Sequence, residues 1–229
     1  GDIIAGLFTT IGVSMALYHR AVTGEGQKID VSMLDCQVAV LENAISRYLV
    51  NGEVPVPIGN RHPSITPFEG FTASDGYVIV GAGNDRLWKK LCELLGKSEL
   101  IIDPRFVTNG DRTNNQKALK PILDSVFKTK TIDAWLVVLE EAGIPCAPIN
   151  TVDRVLKDPQ IKARNMIVEV EHPVAGKMHI PGVPIKMSQT PGTVEKAAPL
   201  LGQHTEEILS EMLGYDNAKV QELRDKGIL

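Results

Sequence analysis

The chain begins with residues 1–35, GDIIAGLFTTIGVSMALYHRAVTGEGQKIDVSMLD. Asp2 immediately precedes an apolar run, which is where an acid is expected to cap a helix start. The pattern predicts a helix from Ile3 to about Val22, and its apolar residues nearly all round predict that it is buried. The unpaired N–H groups at a helix start favour an ionised carboxylate. Residue spacing alone favours a capping role for Asp2 over a chemical one.

Length and composition are those of an ordinary globular protein. The 229 residues are 43% hydrophobic and 23% charged with a net charge of −4, which suits one or two domains and offers no basic stretch for nucleic acid. The apolar runs are interrupted before the ~18 residues that a membrane span needs, so we expect no membrane partner. Cys36, Cys92 and Cys146 are odd in number and widely separated, which indicates core thiols in a reducing compartment, the cytoplasm or a mitochondrial matrix, and no metal cluster.

A series of short motifs follows Asp2 in a fixed order. Arg20 precedes Thr23-Gly24-Glu25-Gly26-Gln27, and the segment Val31-Ser32-Met33-Leu34-Asp35 comes next. Further motifs are Gly59-Asn60-Arg61-His62-Pro63, Asp75-Gly76, Asp103-Pro104-Arg105-Phe106, Gly143-Ile144-Pro145-Cys146, Asp158-Pro159-Gln160 and Pro199-Leu200-Leu201-Gly202-Gln203-His204-Thr205. Taken together, they resemble the class III coenzyme A transferases, the family of formyl-CoA transferase, over essentially the whole chain.

That resemblance implies a role for Asp2, because the acid of the family's opening Gly-Asp motif is its nucleophile. It attacks an acyl-CoA thioester to form a mixed anhydride, and returning CoA converts this into an aspartyl-CoA thioester. A carboxylic acid, with dicarboxylates among the candidates, then accepts the CoA. Coenzyme A and acyl-CoA are therefore substrates, and the resemblance implies no permanently bound cofactor and no metal.

Four other residues match positions near the family's active site. Met33 stands where a residue lies against CoA, although a core methionine filling an apolar gap is the alternative. Gly59, Asn60 and His62 stand where a glycine-containing loop folds over the nucleophile. For His62, a proton donor, an anion contact and a solvent-exposed loop residue all remain open.

The expected fold class is α/β. The resemblance implies part of a large doubly wound CoA-binding domain with a small inserted α/β domain, in an interlocked homodimer. The predicted division is residues 1–50 in the large domain, 51–65 as a linker and active-site loop, 66–150 as the small domain, 151–190 as a returning linker with strands, and 191–229 as C-terminal helices of the large domain.

Hydrophobic periodicity and turn residues predict the individual elements. Strands are expected at 28–33, at 68–73 and 77–82 around Ser74-Asp75-Gly76, at 166–170 and at 177–181. Helices are expected at 34–50, 85–95, 114–127 and 131–142, at 151–163 with a break at Pro159, from a Thr205 cap onward, and at 217–226. Trp88 and Trp135 fall on apolar helix faces and are expected in the core.

The stretch Gly81-Ala82-Gly83-Asn84-Asp85-Arg86 partly matches a dinucleotide-binding fingerprint. Its third glycine is replaced by Arg86, and the preceding strand is the second arm of a hairpin where the fingerprint needs a crossover unit. We therefore expect a strand-to-helix turn capped by Asn84 or Asp85.

Two alternatives to CoA transfer remain. One is an acyl-CoA racemase of the same superfamily, in which the acid moves a proton without forming a covalent bond. The other is a structural or dimerisation fragment, because the chain has no initiator Met and starts at the proposed nucleophile. On this basis we expect a C-terminal portion of a longer protein that is inactive alone.

Overall fold

A computed structural model describes all residues, 1–229, as eleven α-helices, a short 3-10 helix at Ser98–Ile101 and five strands. The helices are α1 Asp2–Thr23, α2 Met33–Val40, α3 Glu42–Asn51, α4 Asp85–Leu94, α5 Asn109–Asn114, α6 Gln116–Phe127, α7 Ile132–Glu141, α8 Val152–Lys157, α9 Pro159–Ala163, α10 Thr205–Leu213 and α11 Asn217–Asp225. The strands are β1 Phe68–Ala73, β2 Gly76–Gly81, β3 Cys146–Pro148, β4 Ile167–His172 and β5 Gly176–Pro181.

Helix α1 forms as the sequence predicts, with two corrections. Gly1 is the N-cap and Asp2 is the first helical residue, so the predicted capping role of Asp2 is wrong. At the other end Gly24 adopts φ 82°, and its N–H donates to the carbonyl of Arg20. The predicted burial is also wrong, because α1 has no buried residue.

The predicted strand at 28–33 does not form. Residues 25–32 belong to no helix or strand and have no strand beside them, so no ladder of hydrogen bonds is made. They run alongside α1 instead. A Cβ added at Gly12 would lie 3.3 Å from Ile29 Cγ2, and one added at Gly1 would lie 3.3 Å from Met33 Cε. Small residues on α1 therefore permit this close approach.

The single helix expected at 34–50 is two helices, α2 and α3, which are separated at Leu41.

The centre of the chain is a three-stranded antiparallel sheet in the order β1-β2-β3. The predicted hairpin is confirmed, with Ala73 opposite Gly76 across the two-residue turn. Strand β3 returns from residue 146 and pairs with β2, placing Val80 opposite Cys146. The Asp75 carboxylate accepts a hydrogen bond from the N–H of Ile132 at 2.8 Å, which ties the turn to the start of α7.

Helices α6 and α7 pack on this sheet, and α4 contributes side chains to the same core. Trp88 and Trp135 are buried there as predicted, and Phe127 stacks on Phe71 with ring centroids 4.8 Å apart. The core cluster has 18 buried residues: Phe71, Ala73, Val78, Val80, Ala82, Trp88, Leu91, Cys92, Leu95, Leu100, Phe106, Leu119, Leu123, Phe127, Ile132, Trp135, Leu139 and Ile144. We call residues 66–150, which contain all of it, the β1–β3 unit.

Arg112 is a fully buried cation within the β1–β3 unit. Its guanidinium lies over the Trp88 ring and donates to the Asp85 carboxylate at 3.0 Å. Its other hydrogen bonds go to the carbonyl oxygens of Thr66, Gly83, Phe106 and Val107. A buried charge needs such complete pairing, and these bonds join three separate loops.

The remaining elements lie outside that core. Helices α8 and α9 are split before Pro159 as predicted, and β4 pairs with β5 as an antiparallel hairpin. The predicted cap at Thr205 is wrong, because α10 begins with Thr205 and its N-cap is His204. The mixed helix-and-strand class is confirmed, and both sheets within this chain are antiparallel.

The surface of α1 is apolar as well as exposed. By length and composition alone, this 22-residue helix near the N-terminus could cross a membrane, so the expectation that no segment is long and apolar enough is wrong. The reason is that no charged residue lies between Asp2 and Arg20, and the intervening Gly, Ser and Thr residues lower the apolar character only slightly. One such helix is weak evidence, because core helices of soluble proteins have the same composition.

Candidate functional site

Asp2 lies in the first turn of α1, where backbone N–H groups are unpaired. Its side chain is exposed, and the positive end of the helix dipole favours a negative charge at this place. The carboxylate is therefore available to a substrate. Within this chain it is also available to water.

Met33 reaches the same helix end. Its Cε lies against Gly1, the residue before Asp2, and 51% of its surface remains exposed. The structure therefore brings together the predicted nucleophile and the predicted CoA contact. The exposure argues against the alternative that Met33 fills the interior of this chain, because a gap-filling methionine is enclosed.

A cavity of about 300 Å³ lies further along this contact, between α1 and the start of α2. Phe8 contributes to its wall from α1, about 9 Å along the helix axis from Asp2 at ~1.5 Å per residue. Asp30, Ser32 and Asp35 line the opposite side. Two carboxylates make this cavity a poor site for the phosphates of CoA.

The predicted substrate loop, Gly59 to His62, packs on the β1–β3 unit. Asn60 accepts a hydrogen bond from the N–H of Gly70 in β1 at 3.1 Å, and a Cβ at Gly70 would lie only 2.6 Å from the Asn60 amide. The N–H of His62 donates to the carbonyl of Phe68 at 2.8 Å, and the two rings stack with centroids 5.6 Å apart. The loop is thus held by β1.

His62 has a defined hydrogen-bond role in this loop. The N–H of Ser64 donates to its Nδ1 at 3.2 Å, so Nδ1 is an acceptor and the proton of the neutral ring is on Nε2. No hydrogen bond or ion pair links Asp2 with Gly59, Asn60 or His62. The candidate residues therefore form two groups, one at the start of α1 and one on β1.

In the segment Gly81 to Arg86, which resembles a dinucleotide-binding fingerprint, Gly83 has a packing function. Asn84 caps α4 by accepting from the N–H of Leu87 at 2.8 Å, as the sequence predicts. A Cβ at Gly83 would lie 2.0 Å from Ile65 Cγ2. The absence of a side chain at Gly83 thus lets the segment before β1 pack closely against this turn.

Burial also raises the pKa of three groups in the β1–β3 unit. Desolvation raises the pKa of the Cys92 thiol to about 12 and raises that of Cys146. Both thiols are therefore poor nucleophiles at neutral pH. Desolvation also raises the pKa of Glu69, against the hydrogen bonds that Gln116 donates to its carboxylate at 3.0 Å.

The family model for CoA-transferase family III matches residues 1–205, from Gly1 through the start of α10. The chain belongs to CoA-transferase family III. The matched residues include Asp2, Met33 and the Gly59–His62 loop. They also include all of α1, so its apolar surface is part of the family III segment.

Two curated relatives of this family III chain are named as CoA-transferases. It is 35% identical over 228 residues to the human succinyl-CoA:glutarate CoA-transferase, covering 100% of this chain and 52% of that protein. It is 41% identical over 187 residues to the acetyl-CoA:oxalate CoA-transferase of Acetobacter aceti, covering 82% of this chain and 47% of that protein. The chain spans about half the length of the curated relatives it matches.

A solved structure confirms the fold. A CaiB/BaiF family protein from Brucella suis superposes with a TM-score of 0.78 at 39% sequence identity, over 92% of this chain and 54% of that protein. The mixed helix-and-strand arrangement, including antiparallel sheets, is therefore that of a CaiB/BaiF protein.

Sequence reasoning missed how the substrate loop is anchored. The partners are Gly70 and Phe68, and neither belongs to a recognisable motif. A glycine within a strand was the available signal, since strand glycines often mark close approach of another backbone or side chain.

Proposed function

We propose that the protein transfers coenzyme A from an acyl-CoA donor to a carboxylic acid acceptor, with Asp2 as the nucleophile. The observation that supports this most is that the family III match includes Asp2 at an exposed helix start, with Met33 beside it. Relatives named for succinyl-CoA with glutarate and acetyl-CoA with oxalate support a carboxylic acid acceptor, with dicarboxylates among the candidates.

In the proposed reaction, the Asp2 carboxylate carries the donor acyl group, then CoA, and then the acceptor acyl group. An Asp2 oxygen attacks the thioester carbonyl, the C–S bond breaks, and CoA leaves as a thiolate, giving an aspartyl anhydride. The thiolate attacks the aspartyl carbonyl and displaces the donor carboxylate, giving an aspartyl-CoA thioester. The acceptor carboxylate displaces CoA to form a second anhydride, and the thiolate attacks its acceptor carbonyl. Asp2 is then released as a carboxylate.

Water must be excluded during these steps, because anhydrides and thioesters hydrolyse. Asp2 is exposed within residues 1–229, and no described residue covers it as an enclosed site would require. We therefore propose that this chain alone does not catalyse transfer. A measurable transfer rate by residues 1–229, comparable with that of the full-length protein, would contradict this.

Covalent trapping on the full-length protein tests the nucleophile. The protein is incubated with acyl-CoA, then treated with hydroxylamine, and the peptide containing Asp2 is analysed by mass spectrometry. Hydroxylamine attacks an activated aspartyl carbonyl, so we expect an aspartyl hydroxamate at Asp2 and, without hydroxylamine, CoA attached there. The Asp2→Asn variant is the matched control and should show neither adduct.

The same experiment separates the alternative activity. A racemase would leave Asp2 unmodified while exchanging the proton next to the thioester carbonyl with solvent deuterium. Unmodified Asp2 in a protein that still transfers CoA would exclude the proposed nucleophile. Homodimerisation and a cytoplasmic or mitochondrial-matrix location stay predictions.

A further inference from the structure

A second cavity, of about 480 Å³, lies beside the outer face of the β1–β2–β3 sheet. Ile79 contributes to it from β2, where it alternates with the core residues Val78 and Val80. Its other walls include Ile65, Phe68 and Ala147, which lies opposite Ile79. The volume is within the range of small-molecule sites, roughly 300–1,000 Å³.

The lining of this cavity carries no charge. None of its ten residues is acidic or basic, and the single polar side chain, that of Asn84, already accepts from the N–H of Leu87. A carboxylate that entered would lose its hydration without gaining a cation. An aliphatic chain would lose only its unfavourable contact with water. The cavity therefore selects for uncharged chains.

The cavity adjoins the predicted substrate loop. The Phe68 side chain forms part of its wall and also stacks on His62, with an interplanar angle of 2°. Ile65, another wall residue, follows the same loop and packs against Gly83. A ligand in the cavity would therefore touch the segments that hold the loop in place.

We propose that this cavity binds the aliphatic part of an acyl substrate, so that at least one of the two acids that exchange CoA carries an uncharged chain. The assignment of this ligand as a reactant rests on the proposed transferase function. It specifies a substrate class that differs from the dicarboxylates in the relatives' names, and the second exchange partner can still be a dicarboxylate.

Isothermal titration calorimetry tests binding without requiring turnover. Octanoate and octanedioate, which has the same length and a second carboxylate, are titrated separately into the full-length protein. We expect octanoate to bind about tenfold more tightly, because the second carboxylate of octanedioate would lose its hydration in the uncharged cavity. Equal affinity for the two acids, or no binding of octanoate, would overturn the proposal.

A space-filling variant tests the location. A Cβ at Gly81 would lie 3.6 Å from the Phe68 ring and 3.8 Å from Pro145 Cβ, so a side chain fits there without a clash. Gly81→Val should occupy the cavity and abolish octanoate binding. If Gly81→Val does not fold, Gly81→Ala should weaken octanoate binding several-fold. Unchanged octanoate affinity in a folded variant would refute the location.

Kinetics then connects the cavity to transfer. In the wild type, kcat/KM should rise roughly tenfold for every two methylenes from butyrate to octanoate as acceptor. Gly81→Val should flatten this series, because the added side chain occupies the space that the longer chains would fill. A series that is already flat in the wild type would overturn the proposal. If Asp2 forms no adduct but octanoate still binds and Gly81→Val abolishes that binding, only the transferase assignment fails. If Asp2 forms the adduct but octanoate does not bind, only the cavity assignment fails.

Discussion

The β1–β3 unit buries its apolar residues, whereas helix α1 leaves its apolar residues exposed. The unit encloses all 18 residues of the core cluster, whereas the 22 residues of α1 include none that is buried. The whole chain exposes 15930 Å², compared with roughly 10,000 Å² for a compact monomer of its 24.9 kDa mass. The chain therefore combines one self-contained folding unit with an apolar helix that carries the proposed chemistry.

The two regions differ in how apolar residues are distributed around their helices. On α4, Trp88, Leu91 and Cys92 are buried, while Arg86, Lys89 and Lys90 remain in solvent. One apolar face needs one partner, and the core of the β1–β3 unit supplies it. Helix α1 is apolar nearly all round, and the segment 25–33 with α2 covers only part of it. We infer that stability and activity depend on different regions.

The largest expected effect is at Asp2. Replacing it with Asn in the full-length protein removes the nucleophile, so transfer should fall by at least about a thousandfold. The exposed side chain caps nothing, so the free energy of unfolding should change by no more than about 1 kcal/mol. Steady-state kinetics and urea unfolding measure the two quantities.

Asp133→Asn is a control for Asp2, because Asp133 is another exposed acid in the first turn of a helix, and it also accepts a hydrogen bond from Arg154 at 2.6 Å. Its loss of stability should be at least as large as that of Asp2→Asn, because the ion pair is lost as well, while transfer should be retained. If both variants lost transfer equally, activity would not be specific to the α1 region.

The next effect concerns stability at Arg112. Arg112→Met removes a buried cation and leaves four carbonyl oxygens without their donor, so unfolding free energy should fall by about 3–5 kcal/mol. Arg105, whose ion pair with Asp103 at 2.7 Å is at the surface, is the control. Arg105→Met should leave the free energy of unfolding nearly unchanged, because solvent screens a surface ion pair. Similar losses for the two variants in urea unfolding would show that burial does not decide the cost.

A smaller effect on stability is expected at Gly81 and Gly83, which both line the cavity of about 480 Å³. Gly83→Ala places a methyl group 2.0 Å from Ile65, which must move, and should cost about 1–3 kcal/mol. Gly81→Ala meets ordinary contact distances and should change stability by less than about 0.5 kcal/mol. Differential scanning calorimetry of the pair would show whether close packing, not backbone freedom, requires glycine at position 83.

The smallest effect is the pH dependence due to Glu69. Burial raises its pKa above the ordinary value of 4.5, while Lys120 and Arg61 oppose this rise and Asp124 adds to it. The folded chain therefore binds this proton more tightly than the unfolded chain does. Its contribution to stability is fully present below pH 4.5 and is lost as the pH rises through the raised pKa.

Glu69→Gln keeps the size of the side chain and removes this titration. The free energy of unfolding of the wild type minus that of the variant should therefore decrease between pH 4.5 and neutrality. Urea unfolding at a series of pH values measures the difference, and a difference that does not change with pH would contradict the assignment to Glu69.

Local patterns in the sequence predicted the β1–β3 unit well. The hairpin at Asp75-Gly76, the Asn84 cap and the helices carrying Trp88 and Trp135 all form as expected. Each depends on residues close together in the chain: turn residues that permit a tight reversal, a side chain that accepts from an N–H three residues on, and an apolar face with helical spacing.

Sequence patterns predicted the candidate site less completely. The helix start at Asp2 was foreseen, but capping is decided by backbone geometry at Gly1, which the pattern does not encode. The alternating residues at 28–33 imitate a strand, yet a strand needs a hydrogen-bonding neighbour, and none is present there.

The sequence by itself determined the family, the proposed nucleophile and most local elements, because motifs, caps and periodicity act over a few residues. Only the tertiary structure decided that Met33 lies beside Gly1, that Asn60 and His62 rest on β1, and that an uncharged cavity opens next to Phe68. These contacts join residues whose spacing in the chain is unrelated to their distance in space. Their geometry follows from packing of the whole unit and not from any short pattern.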